Sequence, residues 1–195
     1  MHVLQGKTIV GYGLELREVS ASDLPTLRRW RNSSEVRYQM VDTSYISPRN
    51  QRLWFENTRG NQSQAHWVAR FQGVRVGYMN LKGEGKLSLQ TRLDGGLYIG
   101  NSGVRHGLLG YALALIQLEI VFEHLMVQEY RTSFRETNRS AKKFNQQLGY
   151  TELCSKDGFI WASITAIAHA QARNRIIRYF NNSPGICVKR DTDHL

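Results

Sequence analysis

The chain is poor in several things. Only two cysteines, Cys154 and Cys187, occur in 195 residues. Two thiols do not build a disulfide framework, and neither has partners at metal-ligand spacing. This excludes a disulfide-stapled scaffold and points to a reducing, cytoplasmic setting with no metal centre. Residues 1–10 hold no apolar core of signal-peptide length, and no run reads as a membrane span. Internal repeats and low-complexity linkers are absent, which excludes a repeat array. Acidic residues are also scarce: 16 Asp and Glu stand against 26 Lys and Arg, a net charge of +10. That balance favours nucleic acid, an anionic membrane surface or a phosphorylated small molecule. The basic residues are scattered and no nucleic-acid motif is present, so the phosphorylated small molecule is the expected partner, with neither nucleic acid nor membrane.

A hydrophobic content of 41% and a charged content of 22% are ordinary for a globular protein. The length suits one domain. Residues 14–18 alternate as a first strand. Ser22 or Asp23 caps a helix over Leu24 to Arg31, with Pro25 tolerated in its first turn. Residues 33–46 are irregular, and Ser47-Pro48 opens a second helix. Residues 65–71 and 74–81 form a hairpin about Gln72-Gly73, and 87–90 suits a short strand. Residues 127–134 alternate again. Asn138 to Leu148 is helical with Gly149 as its C-terminal cap, and 150–154 with 159–165 makes a last hairpin. Ala166 to Phe180 reads as an extra helix, and the tail from Asn181 as loose. The order implies an α/β mixed sheet with helices on both faces.

Residues 96–122 organise the rest. Gly96 to Gly100 reads as a buried strand, and Asn101 to Gly110 is glycine-rich with Arg105 and His106. Leu109, Ala112, Leu113, Ile116, Ile120 and Phe122 then follow at the spacing of a helix with one wide apolar face. A strand running through such a loop into a helix start aims bare N–H groups and the positive helix end at one spot, where an anion fits.

Downstream, residues 138–150 place Asn138, Ala141, Phe144 and Gly149-Tyr150 at definite offsets. With Gly107-x-x-Gly110-x-Ala112 upstream, the chain resembles the GNAT N-acetyltransferase superfamily over roughly residues 14–165. The resemblance implies residues 1–165 as the acetyltransferase domain and 166–195 as a helical extension and loose tail of the same domain. It implies a mostly antiparallel sheet in which the strand ending near Gly100 and the strand starting at Val127 splay apart around acetyl-coenzyme A. Gly107, Leu108, Leu109, Gly110, Tyr111 and Ala112, with Arg105 and His106, would hold the pyrophosphate. Ile99, Gly100, Asn138, Ala141 and Phe144 would line the pantetheine. The usual Gln or Arg three residues before the first glycine of the signature is replaced by Gly107.

A narrower likeness is to acetylases of the 4-amino group of UDP-linked amino sugars, on the pathway to pseudaminic acid. It rests on Trp30-Arg31-Asn32, Met40 and Gly96-Leu97-Tyr98, with Phe159-Ile160-Trp161 as a last strand. By position it implies nucleotide contacts from Arg31 and Met40, with Trp30 beside them and Gln51 where that group has a histidine.

The reaction this implies is attack of a deprotonated amine on a thioester carbonyl polarised by backbone N–H groups near Ile99 and Gly100. The departing thiolate needs a proton. Superfamily members often supply it from a tyrosine, and here that position is Asn145, which has no useful pKa. Tyr98 is the candidate acid, with Tyr111 and Tyr150 as alternatives and Glu136 as a relay. Acetylation of a protein N-terminus and a non-catalytic acyl-coenzyme-A-binding module remain open. So does the role of residues 166–195: covering the sheet, forming a homodimer contact or decorating the surface.

Overall fold

Short alternating segments joined by tight turns build the sheet. The computed structural model describes residues 4–104 and 107–190. Strands β1 (Lys7–Gly11) and β2 (Leu14–Glu18) form a hairpin about Tyr12-Gly13, both with positive φ. That backbone twist matches the twist of the flanking strands. Three helices follow: α1 (Leu24–Asn32), α2 (Ser34–Arg37) and α3 (Pro48–Thr58). Ser47 starts α3 by accepting the Asn50 N–H at 3.1 Å. Then come β3 (Gln64–Phe71), β4 (Val74–Lys82), β5 (Arg92–Ile99), α4 (Gly107–Glu119), β6 (Glu129–Arg135) and α5 (Arg139–Leu148). The chain continues through β7 (Thr151–Lys156), β8 (Phe159–Thr165), α6 (Ala166–Ile176) and β9 (Cys187–Arg190).

The nine strands lie in the order β7-β8-β6-β5-β4-β3-β2-β1-β9. The β5–β6 pair is parallel and the other recorded pairs are antiparallel. One face packs Trp67, Met79, Leu81, Leu93 and Tyr130 into the main core beneath α4. The other carries Val68, Tyr78 and Tyr98 under Leu27 and Trp30 of α1. Helices therefore cover both faces, as expected.

Four expectations are corrected. Residues 87–89 form a 3-10 turn, not a strand. The tail is not loose throughout, because β9 pairs with β1. The glycines Gly107 and Gly110 stand in the first turn of α4, not in a loop. Finally, α4 is not buried on one face only: every residue from Ala112 to Glu119 is buried. A helix apolar all round belongs at the centre of a core. With the π-turn Ile120–His124, this 18-residue stretch is apolar and long enough to cross a membrane, but 67% of it is buried inside the fold. Its two buried polar residues, Gln117 and Glu119, are both hydrogen-bonded. Glu119 accepts from Tyr12 Oη, from Arg173 Nε at 2.6 Å and from Ile186 N at 2.9 Å, tying α4 to the β1–β2 turn, α6 and the C-terminal segment.

Two buried histidines set an acid limit. Burial pushes His66 and His169 down from 6.5 to about 4, and the charges of Lys82 and Arg173 respectively add to the effect. Between those values the unfolded chain takes up protons that the fold refuses, so stability is intact above pH 6.5 and falls as the pH drops toward 4. A shift of that size is on the order of 3 kcal/mol per histidine. The thermal midpoint is expected to fall steadily from pH 6.5 to 4.5, with a shallower slope in His169→Phe. A midpoint constant down to pH 5 contradicts this.

Candidate active site

The site begins where a ladder stops. β5 and β6 pair at Arg92↔Glu129, Leu93↔Tyr130 and Asp94↔Arg131, and there the pairing ends, although β5 runs to Ile99 and β6 to Arg135. On its other edge β5 stays paired to β4 as far as Gly77↔Ile99. The Gly100 N–H donates to Val76 O at 2.9 Å. Alternation along an antiparallel strand then turns the backbone groups of Leu97 and Ile99 toward β6. Gly100 is thus corrected as a carbonyl-polarising amide, because β4 has taken its N–H. Beneath the parting strands, Gln117 of α4 donates to Asn80 O at 3.0 Å and to Gly96 O at 3.3 Å.

The N-terminus of α4 stands at the mouth of this gap. The first N–H groups of a helix have no partner within it and carry its positive end. At Gly107 a Cβ would meet nothing within 4 Å, and at Gly110 it would lie 3.5 Å from Phe144 Cε2. The structure brings Gly110, Tyr111 and Phe144 together. The Tyr111 and Phe144 rings are 4.8 Å apart, and Tyr111 Oη donates to Gln147 Oε1. Leu108 is exposed, while Leu109 and Ala112 are buried in the core. Arg105 and His106 lie outside the described residues.

On α5, Asn138 is a helix cap. Its Oδ1 accepts the Ala141 N–H at 2.9 Å, and its Nδ2 donates to Gln39 Oε1 at 2.9 Å. Gly149 ends the helix with φ +95°, which only glycine adopts without strain. The Asn145 side chain is spent on Ala141 O at 2.8 Å. Tyr150 packs edge-on against Tyr130, and burial raises its hydroxyl.

The α1 face forms the other wall. Trp30 is buried directly against Gly100, where a Cβ would fall 2.2 Å from Trp30 Cδ2. Arg31 Nη2 donates to Asp42 O at 2.6 Å, while its Nη1 makes no hydrogen bond among the described residues. Arg135 of β6 reaches the same loop, donating to Met40 O at 3.0 Å with its guanidinium 4.8 Å over the Phe159 ring. Gln51 is buried on α3. Tyr98 is half-buried, its ring 5.3 Å from Tyr78. Burial raises the Tyr98 hydroxyl, with Arg31 pulling weakly the other way.

Three residues at this wall escape sequence reasoning. Asp94 occupies the last rung before the strands part; its side chain is exposed, and partial desolvation raises its carboxyl against the pull of Arg92 and Arg131. Tyr78 lies across from Tyr98 on β4, and His66 of β3 bonds its hydroxyl at 2.6 Å. The available signal was the polar alternation of Gln64 and His66 at the start of a strand whose centre, Trp67 to Ala69, is apolar. Away from the gap, donor atoms of Glu119, Glu123 and His169 lie within 4.8 Å of one another. The Glu119 carboxylate there is already taken by three donors.

A parting strand pair with a bare helix start at its mouth defines a receptor for a long, thin ligand with an anionic head. The chain belongs to the GNAT acetyltransferase family: the family model described as acetyltransferase (GNAT) domain matches residues 13–151. RimJ of Mycobacterium smegmatis in complex with CoA-disulfide is similar at 16% identity, covering 94% of this chain and 99% of its own, with a TM-score of 0.72. Spermidine N-acetyltransferase of Vibrio cholerae, in complex with CoA and spermine, aligns at 14% identity over 81% of this chain and 98% of its own, TM-score 0.71. FdhC, a nucleotide-linked sugar GNAT, aligns at 17% identity over 89% and 98%, TM-score 0.70. Among curated proteins no sequence matches. The protein is an acetyl-CoA-dependent N-acetyltransferase of amines. The residues fit that donor: β6 leaves Leu97 and Ile99 of β5 unpaired, and α4 opens on Gly107, where a Cβ would meet nothing within 4 Å.

Proposed function

We propose that the acceptor is an amine carrying negative charge, best matched by the 4-amino group of a UDP-linked sugar. The observation that carries this reading is the pair of arginines on one loop: Arg31 at Asp42 and Arg135 at Met40, with Arg31 Nη1 unsatisfied. An unsatisfied guanidinium N–H suits a phosphate oxygen. A polycationic acceptor would meet these arginines and a net charge of +10. The likeness to a nucleotide-linked sugar GNAT supports the same choice.

Acetyl-CoA, when bound, supplies an activated acetyl thioester that a neutral amine can attack. The amides of Gly107 to Gly110 would grip its diphosphate, and Phe144 would flank the pantetheine. Asp94 takes the proton of the incoming ammonium, a task that a raised carboxyl pKa favours. Tyr98 keeps its hydroxyl protonated and serves as a donor. Asn145 plays no acid part, because a carboxamide is far too weak an acid to protonate a thiolate. Thiol release with a UDP-4-amino sugar, and none with peptides or polyamines, is the expected result. Turnover restricted to peptides overturns the sugar reading.

Gly107→Glu tests the cofactor end. A side chain at Gly107 meets only open space, so the fold should keep its thermal midpoint. Its carboxylate would oppose the diphosphate, and KM for acetyl-CoA should rise more than tenfold. An unchanged KM would move the pyrophosphate elsewhere.

A further inference from the structure

Gly96 stands on the α1 face of β5, between Asp94 and Tyr98 in the alternation, and pairs with Asn80. A Cβ at Gly96 would meet nothing within 4 Å, although the neighbouring Gly95 and Gly100 are closely overlaid. There is therefore an open spot on this face, beside the gap between β5 and β6. Strand geometry sets Asp94 about 6.6 Å to one side of it and Tyr98 about 6.6 Å to the other. The Gly96 N–H is bound by Asn80 Oδ1 at 2.9 Å, which fixes the floor.

A hydrogen-bonded chain ends at the same rung. His66 pairs with Asn80 and Val68 with Tyr78, so Tyr78 and His66 are diagonal neighbours on this face. His66 Nε2 lies 3.1 Å from Gln64 Oε1, and His66 Nδ1 lies 2.6 Å from Tyr78 Oη. A carbonyl oxygen only accepts, so the proton of the neutral ring sits on Nε2 and Nδ1 presents a lone pair. Tyr78 must then donate its hydroxyl proton to His66. With its proton given to His66, the Tyr78 oxygen keeps its lone pairs for an incoming N–H.

We propose that the acceptor's amino group docks over Gly96, where Tyr78 Oη accepts one of its N–H bonds and Asp94 faces it from the other side. Tyr78 is then a substrate-binding residue. His66 is a positioning residue: held by Gln64, it keeps the Tyr78 proton turned away from the amine, so only a lone pair is offered. Trp54 closes the other side of His66 edge-on at 5.1 Å. The charged and titratable groups around the pair are Lys82 at His66, and Arg31 and Tyr98 at Tyr78. Below the pH at which His66 protonates, its Nδ1 becomes a donor and the Tyr78 hydroxyl must rotate.

This proposal rests on the acetyltransferase reading, and the test separates the two. Steady-state kinetics with acetyl-CoA and a UDP-4-amino sugar, joined by calorimetric titration of acetyl-CoA, are run on the wild type, Gly96→Val, Tyr78→Phe, His66→Asn and His66→Leu. Gly96→Val is expected to raise KM for the amine at least tenfold while acetyl-CoA affinity and the thermal midpoint hold. Tyr78→Phe should lower kcat/KM for the amine about 10- to 100-fold. His66→Asn keeps an acceptor where Nδ1 lay and should recover most of the activity that His66→Leu loses. A wild type that turns over while Gly96→Val and Tyr78→Phe leave the amine KM unchanged overturns the docking site. A wild type that binds acetyl-CoA but acetylates no amine overturns the acceptor reading itself. Equal losses in His66→Asn and His66→Leu with equal drops in thermal midpoint would reduce His66 to a packing residue.

Discussion

Arg173→Ala is expected to cost the fold about 3–5 kcal/mol, the usual result of leaving a buried charge without its partner. Glu119 is fully buried, and Arg173 Nε meets it at 2.6 Å. Its other donors, Tyr12 Oη and the Ile186 N–H, are neutral and cannot balance a carboxylate. Burial raises the Tyr12 hydroxyl further, so it stays a donor and takes no part of the charge. Because this one carboxylate holds the β1–β2 turn, α6 and the segment before β9 to α4, the loss should be felt across the fold. Chemical denaturation reads it as a lower midpoint with an unchanged slope. Arg173→Lys keeps the charge without the fork and should lose less. A change below about 1 kcal/mol in Arg173→Ala would mean that water reaches Glu119.

Asp94→Asn is expected to lower kcat by about 10²- to 10⁴-fold, the usual contribution of a positioned general base. Asp94 is held where β5 leaves β6, exposed at the gap, and partial desolvation raises its carboxyl, so as a base it becomes competent as the pH rises through its pKa. The wild-type kcat/KM profile should therefore show an acid limb, and Asp94→Asn should lack it. Acetyl-CoA binding should be untouched. Full activity in Asp94→Asn, with the acid limb intact, would remove Asp94 from the chemistry.

The elements proposed for the cofactor end were legible in the sequence because they are local. A strand, glycines and a helix start follow one another within residues 96–112, and the Asn138 cap and Gly149 stop frame one helix. The acceptor end was not legible, because it is assembled across strands. The expected strand started at Gly96 and left Asp94 outside it, yet β5 begins at Arg92. His66 and Tyr78 are twelve residues apart in two strands, and only the antiparallel register makes them neighbours. β9 escaped for the same reason. Its partner β1 lies at the far end of the chain, and neither segment carries a strong alternation.

A crystal structure of the protein with coenzyme A tests the central claim most directly. The pantetheine should lie along the Leu97–Ile99 edge between β5 and β6, with the diphosphate on the amides of Gly107 to Gly110 and the sulfur beyond Asp94 on the open stretch of β5. A ligand bound elsewhere, with β5 and β6 closed into a continuous ladder past Asp94↔Arg131, would contradict it.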